Sequence, residues 1–546
     1  MQYFKITILS FFLSLGLNTF AQESNDFEIS KNLDVYTSLI QQLNLHYVDK
    51  LEPGDLTKSA IDAMLKQIDP YTVYYPESQI EDVRFMQTGQ YGGIGSFLHI
   101  KNGDVVVGMP YLGFPFYKAG IRAGDIIVSI DGELVHGKSM DDISYRLKGI
   151  AGTELSLTYI SANDNTEKTV NLKRELIEVT DVPYFGLVDD GVAYVKLVGF
   201  KQNAAKEVKA ALDSLSKSDS LSSLILDLRD NGGGLLIQAV NIMNLFVDAG
   251  ETIVSTKGKT KSENFSYATT QKAPYNHIKV VVLMNKNSAS ASEIVAGAFQ
   301  DLDRGVIMGQ KSYGKGLVQK VFQLSYRSQA KITVAKYYIP SGRCIQSLDY
   351  QHKDASGKAN RIPDSLMATF KTKSGRLVHD AGGIIPDVKL SEKKYPEIAE
   401  ELLAQYKIFD YATEYVYSND SIQSISNFVL NDKVYNDFIE QLKKDSFSYY
   451  SDVDKQINIL EKIAELNSQD LEEEIKLLRL KMANDKEKEF ALHNEVIKSL
   501  IRQELVSRYF FYSGMVEAQL TDDLEVKEAI QLLHHKDQYG SILQGN

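Results

Sequence analysis

The stretch KVVVLMNKNSASASEIVAGAFQD, residues 279–301, decides the fold class. It begins with a short, near-continuous apolar run at Lys279–Met284, which is typical of a strand buried on both faces. A run of mainly small residues at 291–301 follows and predicts a helix. A buried strand that leads directly into a helix is one unit of an α/β fold.

The same alternation of strand and helix extends from about residue 183 to residue 390. It contains two further pairs of strand and helix: Val192–Leu197 with 203–216, and Leu224–Leu228 with 235–247. Near-continuous apolar strands separated by helices are typical of a parallel sheet with both faces covered. We therefore predict an α/β core with a largely parallel sheet.

The sequence on either side of this core has a different pattern. Residues 86–178 alternate short β-rich runs with glycine turns and contain one amphipathic helix near Met140–Leu147. Residues 28–85 and the residues after 391 carry apolar positions at helical intervals, and we expect the charge-rich faces of the latter to be solvated. The fold class is thus multidomain α/β, with these predicted parts: signal peptide 1–21, helical N-terminal segment 22–85, β-rich module 86–178, α/β core 179–390 and helical C-terminal extension 391–546.

Composition narrows the class of protein. The chain has 546 residues, of which 43% are hydrophobic and 24% charged, and this excludes a wholly disordered chain. Its formal net charge of −12 provides no basic field for a polyanion, so we expect no nucleic-acid partner. The single cysteine, Cys344, cannot form an internal disulfide. No Cys/His cluster has the spacing of metal ligands, and we expect neither a metal nor a cofactor.

The first residues indicate export. One lysine, Lys5, precedes an apolar run that ends at the small residue Ala21, which is the pattern of a cleaved secretory signal. A membrane anchor is the alternative, but spanning a bilayer takes about 20 uninterrupted apolar residues. We expect a mature chain that has no integral membrane segment and is located in the periplasm or outside the cell.

Candidate catalytic residues begin in the stretch quoted above. A serine at a turn from strand to helix presents its hydroxyl at the edge of the sheet, where the helix N-terminus favours developing negative charge. The alternative is structural, because Ser290 and Glu293 also form the pattern of a helix capping box. This segment alone favours the cap.

A second segment, SYGKGLVQ at residues 312–319, favours a catalytic role for the serine over a purely structural one. Lys315 lies between two glycines at the start of a strand-like run. In an extended chain Gln319 points to the same face and can orient the lysine. Burial in an apolar site lowers the pKa of a lysine from about 10.4 to about 7–8, which would make Lys315 a general base. A surface lysine in a turn is the alternative.

Two glycine-rich loops offer backbone N–H groups. DLRDNGGG at 227–234 follows a buried strand, where a glycine N–H can approach a reacting carbonyl; a turn that caps the next helix is the alternative. YGGIG at 91–95 opens the β-rich module, and successive glycines can form a nest for an anion such as the terminal carboxylate of a peptide. An ordinary glycine turn is the alternative there. The strand after YGGIG would have an open edge to which an extended peptide could add.

The β-rich module contains three motifs in order: YGGIG at 91–95, KAGIRAGDII at 118–127 and Ile130-Asp131-Gly132. With these motifs it resembles a PDZ domain of the type embedded in secreted processing proteases. The resemblance implies that the C-terminal tail of a protein or peptide substrate binds at Gly92, Gly93, Ile94 and Gly95. One departure is Phe114-Pro115-Phe116, where relatives often have Ser-Pro-Ala. These bulky rings would narrow or reshape the binding groove.

The serine and lysine segments resemble the C-terminal processing peptidases, S41-type serine proteases with a Ser/Lys dyad. In that family the lysine follows the nucleophile by 25 residues, so Ser290 matches the nucleophile and Lys315 the base. Gln319 matches the residue that orients the lysine. The resemblance also implies an oxyanion hole formed by the Ala291 N–H and one glycine N–H of residues 232–234, of which we favour Gly233.

The resemblance covers about residues 28–390 and implies a crotonase/ClpP-like core in an exported endopeptidase that cleaves chains near their C-termini. Asn287 and Tyr313 depart from the usual family residues without removing a reactive group. Two non-enzymatic alternatives are a periplasmic PDZ scaffold and a chaperone-like protein that binds peptides without cleaving them. A homo-oligomer or an adaptor contact through the helical termini is a further hypothesis.

Overall fold

The computed structural model describes residues 23–217, 221–354, 357–392, 394–422, 424–425, 428–467 and 469–545. The predicted signal peptide, residues 1–21, lies outside the described residues. Within the described ranges, no helix combines the length and the apolar character needed to cross a lipid bilayer.

The N-terminal segment is mostly helical but contributes one strand to the core. Its elements are α1 (Glu23–His46), α2 (Pro53–Lys66), β1 (Val73–Tyr75) and α3 (Ile80–Thr88). After α2, the Asp69 carboxylate accepts hydrogen bonds from the backbone N–H groups of Tyr71 and Thr72, which turns the chain. β1 then pairs antiparallel with β18 (Gln329–Tyr338). The sequence pattern predicted only helix here, because a strand of three residues is too short to show an alternation.

The β-rich module is a small sheet with one long helix. Its elements are β2 (Gln90–Gly93), β3 (Ser96–Lys101), β4 (Asp104–Pro110), α4 (Pro115–Lys118), β5 (Ile126–Ile130), β6 (Glu133–Leu134), α5 (Met140–Leu147), β7 (Glu154–Ile160), β8 (Glu167–Lys173) and β9 (Glu175–Glu178). The sheet order is β3-β4-β5-β7-β8, with β6 beside β5, and β2 pairs separately with β9. β3 thus lies at a sheet edge. α5 has the predicted bounds and packs Ile143 and Leu147 into the module's core.

The core contains most of the remaining strands. In chain order its elements are β10 (Tyr184–Asp189), β11 (Val192–Lys196), α6 (Ala204–Leu215), β12 (Ser223–Asp227), α7 (Leu236–Met243), β13 (Thr252–Gly258), β14 (Phe265–Ala268), β15 (Lys279–Met284), α8 (Ala291–Asp301), β16 (Val306–Gly309), β17 (Leu317–Gln323), β18, β19 (Leu348–Lys353), β20 (Ala359–Arg361), β21 (Thr369–Lys371), β22 (Leu377–His379) and β23 (Val388–Lys389). The predicted strand at Lys279–Met284 and helix at 291–301 are confirmed.

Two sheets position the functional residues. The central sheet has the order β10-β11-β12-β15-β16-β23; β10 is antiparallel to β11 and the other neighbours are parallel, which confirms a largely parallel sheet. A second, antiparallel sheet has the order β1-β18-β13-β14, with β17 beside β18. This second sheet was not predicted.

The helical C-terminal extension comprises α9 (Glu397–Ala404), α10 (Lys407–Ser418), α11 (Asp432–Lys444), α12 (Asp452–Leu466), α13 (Glu472–Leu492), α14 (Asn494–Leu520), α15 (Leu524–His534) and α16 (Lys536–Gln544). Its last two helices pack on the central sheet. Successive side chains of β15 point to opposite faces. Val280 and Val282 pack with α6–α8, whereas Val281 and Leu283 pack with Val526 and other apolar residues of α15. The extension therefore covers one face of the α/β core.

Candidate active site

Three serines at the start of α8 have different surroundings. The Ser288 hydroxyl donates to the Leu228 carbonyl oxygen at 2.8 Å, and the Ser292 hydroxyl donates to the Asn231 carbonyl oxygen at 2.8 Å. Both serines are buried, so their hydroxyls tie the start of α8 to the glycine-rich loop 227–234. Ser290, between them, lines an open cleft. The geometry leaves the middle serine of the three facing the cleft.

The backbone of Ser290 is strained where it presents this half-buried side chain to the cleft. Its φ of 58° lies in the left-handed region, which costs a residue other than glycine about 1–3 kcal/mol. Two hydrogen bonds compensate: the Ser290 N–H donates to Glu293 Oε2 at 2.8 Å, and the Tyr337 hydroxyl donates to the Ser290 carbonyl oxygen at 3.1 Å. The same Tyr337 hydroxyl lies 2.7 Å from the Lys315 carbonyl oxygen.

Glu293 joins the serine segment to the lysine segment. Its Oε2 accepts the backbone N–H groups of both Ser290 (2.8 Å) and Lys315 (2.9 Å). Its Oε1 accepts the Ser312 hydroxyl at 2.6 Å and the Gly314 N–H at 2.7 Å. Complete burial raises the pKa of Glu293 to about 7, although these four hydrogen bonds favour its ionised form. The sequence identified Glu293 only as part of a cap, because its partners beyond α8 lie about twenty residues away in the chain.

Lys315 is partly buried and has a depressed pKa. Burial, followed by the charge of Lys331, lowers the pKa of Lys315 to about 8. Its ammonium lies 4.3 Å from the centre of the Tyr71 ring, and Tyr71 also contacts the hydroxyl of Tyr350 at 3.2 Å. Among the described residues, no hydrogen bond joins Lys315 Nζ to the Ser290 hydroxyl. The sequence patterns did not identify Tyr71 as a residue of this site.

Gln319 lines the same cleft. Among the described residues, no hydrogen bond joins its side chain to the Lys315 ammonium. Its side-chain amide donates to the Thr333 hydroxyl at 3.2 Å. The pairing of β17 with β18 shifts between Val318 and Gln319, which interrupts the strict alternation used to place Gln319 and Lys315 on one face. The orienting role of Gln319 stays a prediction.

The glycine-rich loop packs tightly against the serine. A Cβ atom at Gly233 would lie 2.8 Å from Ser290 Cβ and 2.9 Å from the Ala291 nitrogen, so only glycine fits there. The φ of Gly233 is also positive, at 97°. Its own N–H donates to Asn231 Oδ1 at 2.9 Å, and an oxyanion would compete with this acceptor. The assignment of Gly233 and Ala291 to an oxyanion hole stays a prediction.

One cleft of about 540 Å³ contains these groups. It is bounded by α3, the loop 227–234, the start of α8 and the paired strands β17 and β18. Its lining includes Gly233, Ser290, Ile294, Lys315, Gln319 and Lys331. A serine hydroxyl, a lysine with a lowered pKa and the N-terminus of a helix in one cleft can perform acyl transfer.

The loop proposed to bind a peptide tail has a different environment. Gly92, Gly93, Ile94 and Gly95 are all buried. The Gly92 N–H donates to Glu81 Oε2 at 3.1 Å, and a Cβ at Gly95 would lie 2.5 Å from the Cβ of Phe114. An acidic side chain and a bulky ring from neighbouring segments therefore cover this loop. Tail binding here stays a prediction.

Comparison with known proteins assigns the chain to a family. The family models that match are "Peptidase family S41" at residues 191–351, "PDZ domain" at 106–160 and "Probable PDZ-protease, C-terminal helical domain" at 398–533. A carboxy-terminal-processing protease of Bartonella bacilliformis is 33% identical over 343 residues, which cover 62% of this chain and 78% of the relative. The chain belongs to peptidase family S41, the carboxy-terminal-processing proteases.

Two solved structures are also similar to this S41 peptidase. The photosystem II D1 C-terminal processing protease is 28% identical, with 66% of this chain and 93% of that chain covered and a TM-score of 0.36. The PDZ domain of a carboxy-terminal protease from Vibrio cholerae, solved in complex with a peptide, is 24% identical, with 16% and 99% covered and a TM-score of 0.16. The family models and the Bartonella bacilliformis relative show that the chain is a serine peptidase with a PDZ domain, an S41 core and a helical C-terminal region.

Proposed function

We propose that this S41 peptidase is an exported endopeptidase in which Ser290 is the nucleophile and Lys315 the general base. One observation carries the proposal. The backbone N–H groups of Ser290 and Lys315 share a single acceptor, Glu293 Oε2, and both side chains line one cleft. The shared carboxylate fixes the separation of the two segments, as proximity catalysis requires.

The lysine must be neutral to act as a base. Burial supports this role, since it lowers the pKa of Lys315 to about 8. The Tyr71 ring favours the charged form, because an aromatic face attracts a cation. We infer that the contact with Tyr71 is a resting position and that Lys315 moves from it to the Ser290 hydroxyl when substrate enters.

The reaction then proceeds as acyl transfer. Lys315 Nζ takes the hydroxyl proton while Ser290 Oγ forms a bond to the scissile carbonyl carbon, and the carbonyl oxygen becomes an oxyanion. The Ala291 N–H and a glycine N–H of residues 232–234 stabilise that charge. The C–N bond breaks as Lys315 returns the proton to the leaving amine. Water, deprotonated by the same lysine, releases the acyl group from Ser290.

We further propose that the PDZ domain holds the C-terminal tail of the substrate and that cleavage occurs near that tail. Support comes from the edge position of β3, because no strand of its sheet pairs with one of its sides and an extended peptide could add there. Export rests on the pattern of residues 1–21. Mass spectrometry of the mature protein from the periplasm or the medium tests it, with an N-terminus at Gln22 as the expected result.

The nucleophile is tested by three matched substitutions in one segment. The full chain and its Ser290→Ala, Ser288→Ala and Ser292→Ala variants are incubated with an unfolded protein, and new termini are identified by mass spectrometry. Ser290→Ala should produce none. Ser288→Ala and Ser292→Ala should still cleave but lose about 1 kcal/mol of stability, since each removes one buried hydrogen bond. Cleavage by Ser290→Ala at the wild-type rate would overturn the assignment.

A further inference from the structure

Arg229 connects the glycine-rich loop to the C-terminal extension. It lies on loop 227–234, directly before the residues that pack against Ser290. On one side its guanidinium contacts the buried Asp227 at 2.6 Å. On the other side it contacts Asp523 at 2.8 Å and Glu525 at 2.7 Å. All of these side chains are largely buried, so the ion pairs are screened less than surface pairs.

Glu525 also reaches the lysine segment. While its Oε2 accepts from Arg229, its Oε1 accepts from the Gln310 side-chain amide at 2.6 Å. Gln310 directly follows β16, five residues before Lys315. One carboxylate of the extension therefore bridges the loop beside Ser290 and the segment that leads to Lys315. Glu293 makes a similar bridge between the Ser290 and Lys315 segments.

The two acidic residues are held firmly by the helix that carries them. Asp523 caps α15, with its Oδ1 accepting the Val526 N–H at 3.1 Å. Val526 and Leu533 of α15 are buried against the central sheet. Charge also favours the arrangement. Burial alone would raise the pKa of Asp227, but Arg229 and then Lys196 outweigh it and hold that pKa well below its ordinary value.

We propose that Glu525 and Asp523 are positioning residues for the protease: they fix Arg229 and thereby hold loop 227–234 where its backbone faces Ser290. The proposal rests on the function assigned above to Ser290 and Lys315. Asp230 of this loop has a positive φ, a conformation that a residue other than glycine keeps only when its surroundings hold it there. A displacement of about 1 Å in a catalytic segment can cost on the order of a hundredfold in rate.

Deleting the extension would not test this, since α15 and α16 cover one face of the sheet. Glu525→Gln removes one charge, and Glu528→Gln is the matched control, an exposed position in the same helix. Asp523→Asn is a second variant, because asparagine caps a helix as well as aspartate does and yet lacks the charge that pairs with Arg229. All variants are assayed at a temperature at which circular dichroism shows them folded.

We expect Glu525→Gln to lower kcat for peptide cleavage about tenfold or more with little change in KM, because the tether acts on the transition state. Asp523→Asn should act in the same direction, and Glu528→Gln should match the wild type. Binding of a peptide aldehyde, which forms a tetrahedral adduct with the nucleophile, should weaken by the same factor as kcat/KM. Binding of the corresponding alcohol, which forms no adduct, should not change.

Several results would overturn the proposal. A wild-type kcat in Glu525→Gln would do so, as would equal losses of aldehyde and alcohol affinity, which indicate a general disturbance of the cleft. Ser290→Ala is assayed in parallel. If it still cleaves, the assigned function fails whatever Glu525 does. If it is inactive and Glu525→Gln equals Glu528→Gln, only the positioning role fails.

Discussion

The protein has two glycine-rich loops that the sequence presents alike and the fold uses differently. In the core, loop 227–234 lies against the start of α8, and Gly233 approaches Ser290 so closely that a Cβ would not fit. In the β-rich module that contains the PDZ domain, the loop at 91–95 is buried and lies against Phe114, and the Gly92 N–H donates to Glu81 (we refer to it as the PDZ loop). The first loop faces a cleft, whereas the second is covered by residues of its own chain.

The difference shows what glycine content alone cannot determine. Glycines permit a backbone to turn its N–H groups inward, and both loops do contain positive φ values, at Gly95 and Gly233. Which N–H is available to a ligand depends on side chains from other segments. Asn231 holds one N–H of the core loop, and Glu81 holds one of the PDZ loop.

The largest effect is expected at Lys315, the proposed general base in the cleft that the core loop lines. Lys315→Arg retains a positive charge but cannot become neutral near pH 8. We expect kcat/KM to fall about 10²–10⁴-fold, the usual contribution of a general base. Peptide cleavage assays measure it, with Lys331→Arg as the control for a second lysine of the cleft. An active Lys315→Arg enzyme would mean that the core loop serves different chemistry.

Gly233→Ala tests whether catalysis depends on the close approach of the core loop to Ser290. A Cβ would clash with Ala289 and Ser290, and the φ of 97° adds backbone strain, so the loop must move. We expect a loss of about 10²–10³-fold in kcat, as for the removal of an oxyanion donor. Gly113→Ala is the matched control, since Gly113 has a positive φ but no neighbour within 4 Å. Equal activity in the two variants would mean that the approach to Ser290 has no catalytic role.

Glu81→Gln tests whether the Glu81 carboxylate keeps a peptide carboxylate away from the PDZ loop at 91–95. Replacing the carboxylate by an amide removes a negative charge from the site proposed for a tail carboxylate. We expect the affinity for a peptide with a free C-terminus to rise about tenfold or more, since hydrogen bonds to charged groups contribute about 1.5–3 kcal/mol and about 1.4 kcal/mol is a factor of ten. Fluorescence anisotropy with a matched acid and amide peptide measures it. If the two peptides bind equally to both proteins, the loop does not recognise tails.

Local features were predictable from the sequence, and long-range ones were not. The strand Lys279–Met284 and the helix Ala291–Asp301 follow from local apolar and small-residue runs. The packing of α15 on the central sheet does not, because an amphipathic pattern shows that a helix has a buried face without showing what covers it. Tyr71 lies beside Lys315 because β1, which begins two residues later, pairs with β18. No local sequence pattern predicts that pairing.

The candidate site shows the same division. Ser290 and Lys315 were identified from motif spacing, and the cleft contains both. The positions of Ser288 and Ser292 depend on acceptors in loop 227–234, about sixty residues earlier in the chain. The prediction that Gln319 and Lys315 share one face came from strict strand alternation. The register shift inside β17 breaks that alternation and cannot be read from the sequence. Sequence patterns therefore identified the reactive groups better than their partners.

The pH dependence of kcat/KM between pH 6 and 9 tests the central claim most directly, namely that neutral Lys315 activates Ser290. Burial lowers the pKa of Lys315 to about 8, and only the deprotonated form is active, so the rate should rise with pH and level off above that value. At pH 6 we expect a rate about a hundredfold below the plateau, with a peptide substrate that does not titrate in this range. A pH-independent rate, or an inflection unchanged in the residual activity of Lys315→Arg, would contradict the account.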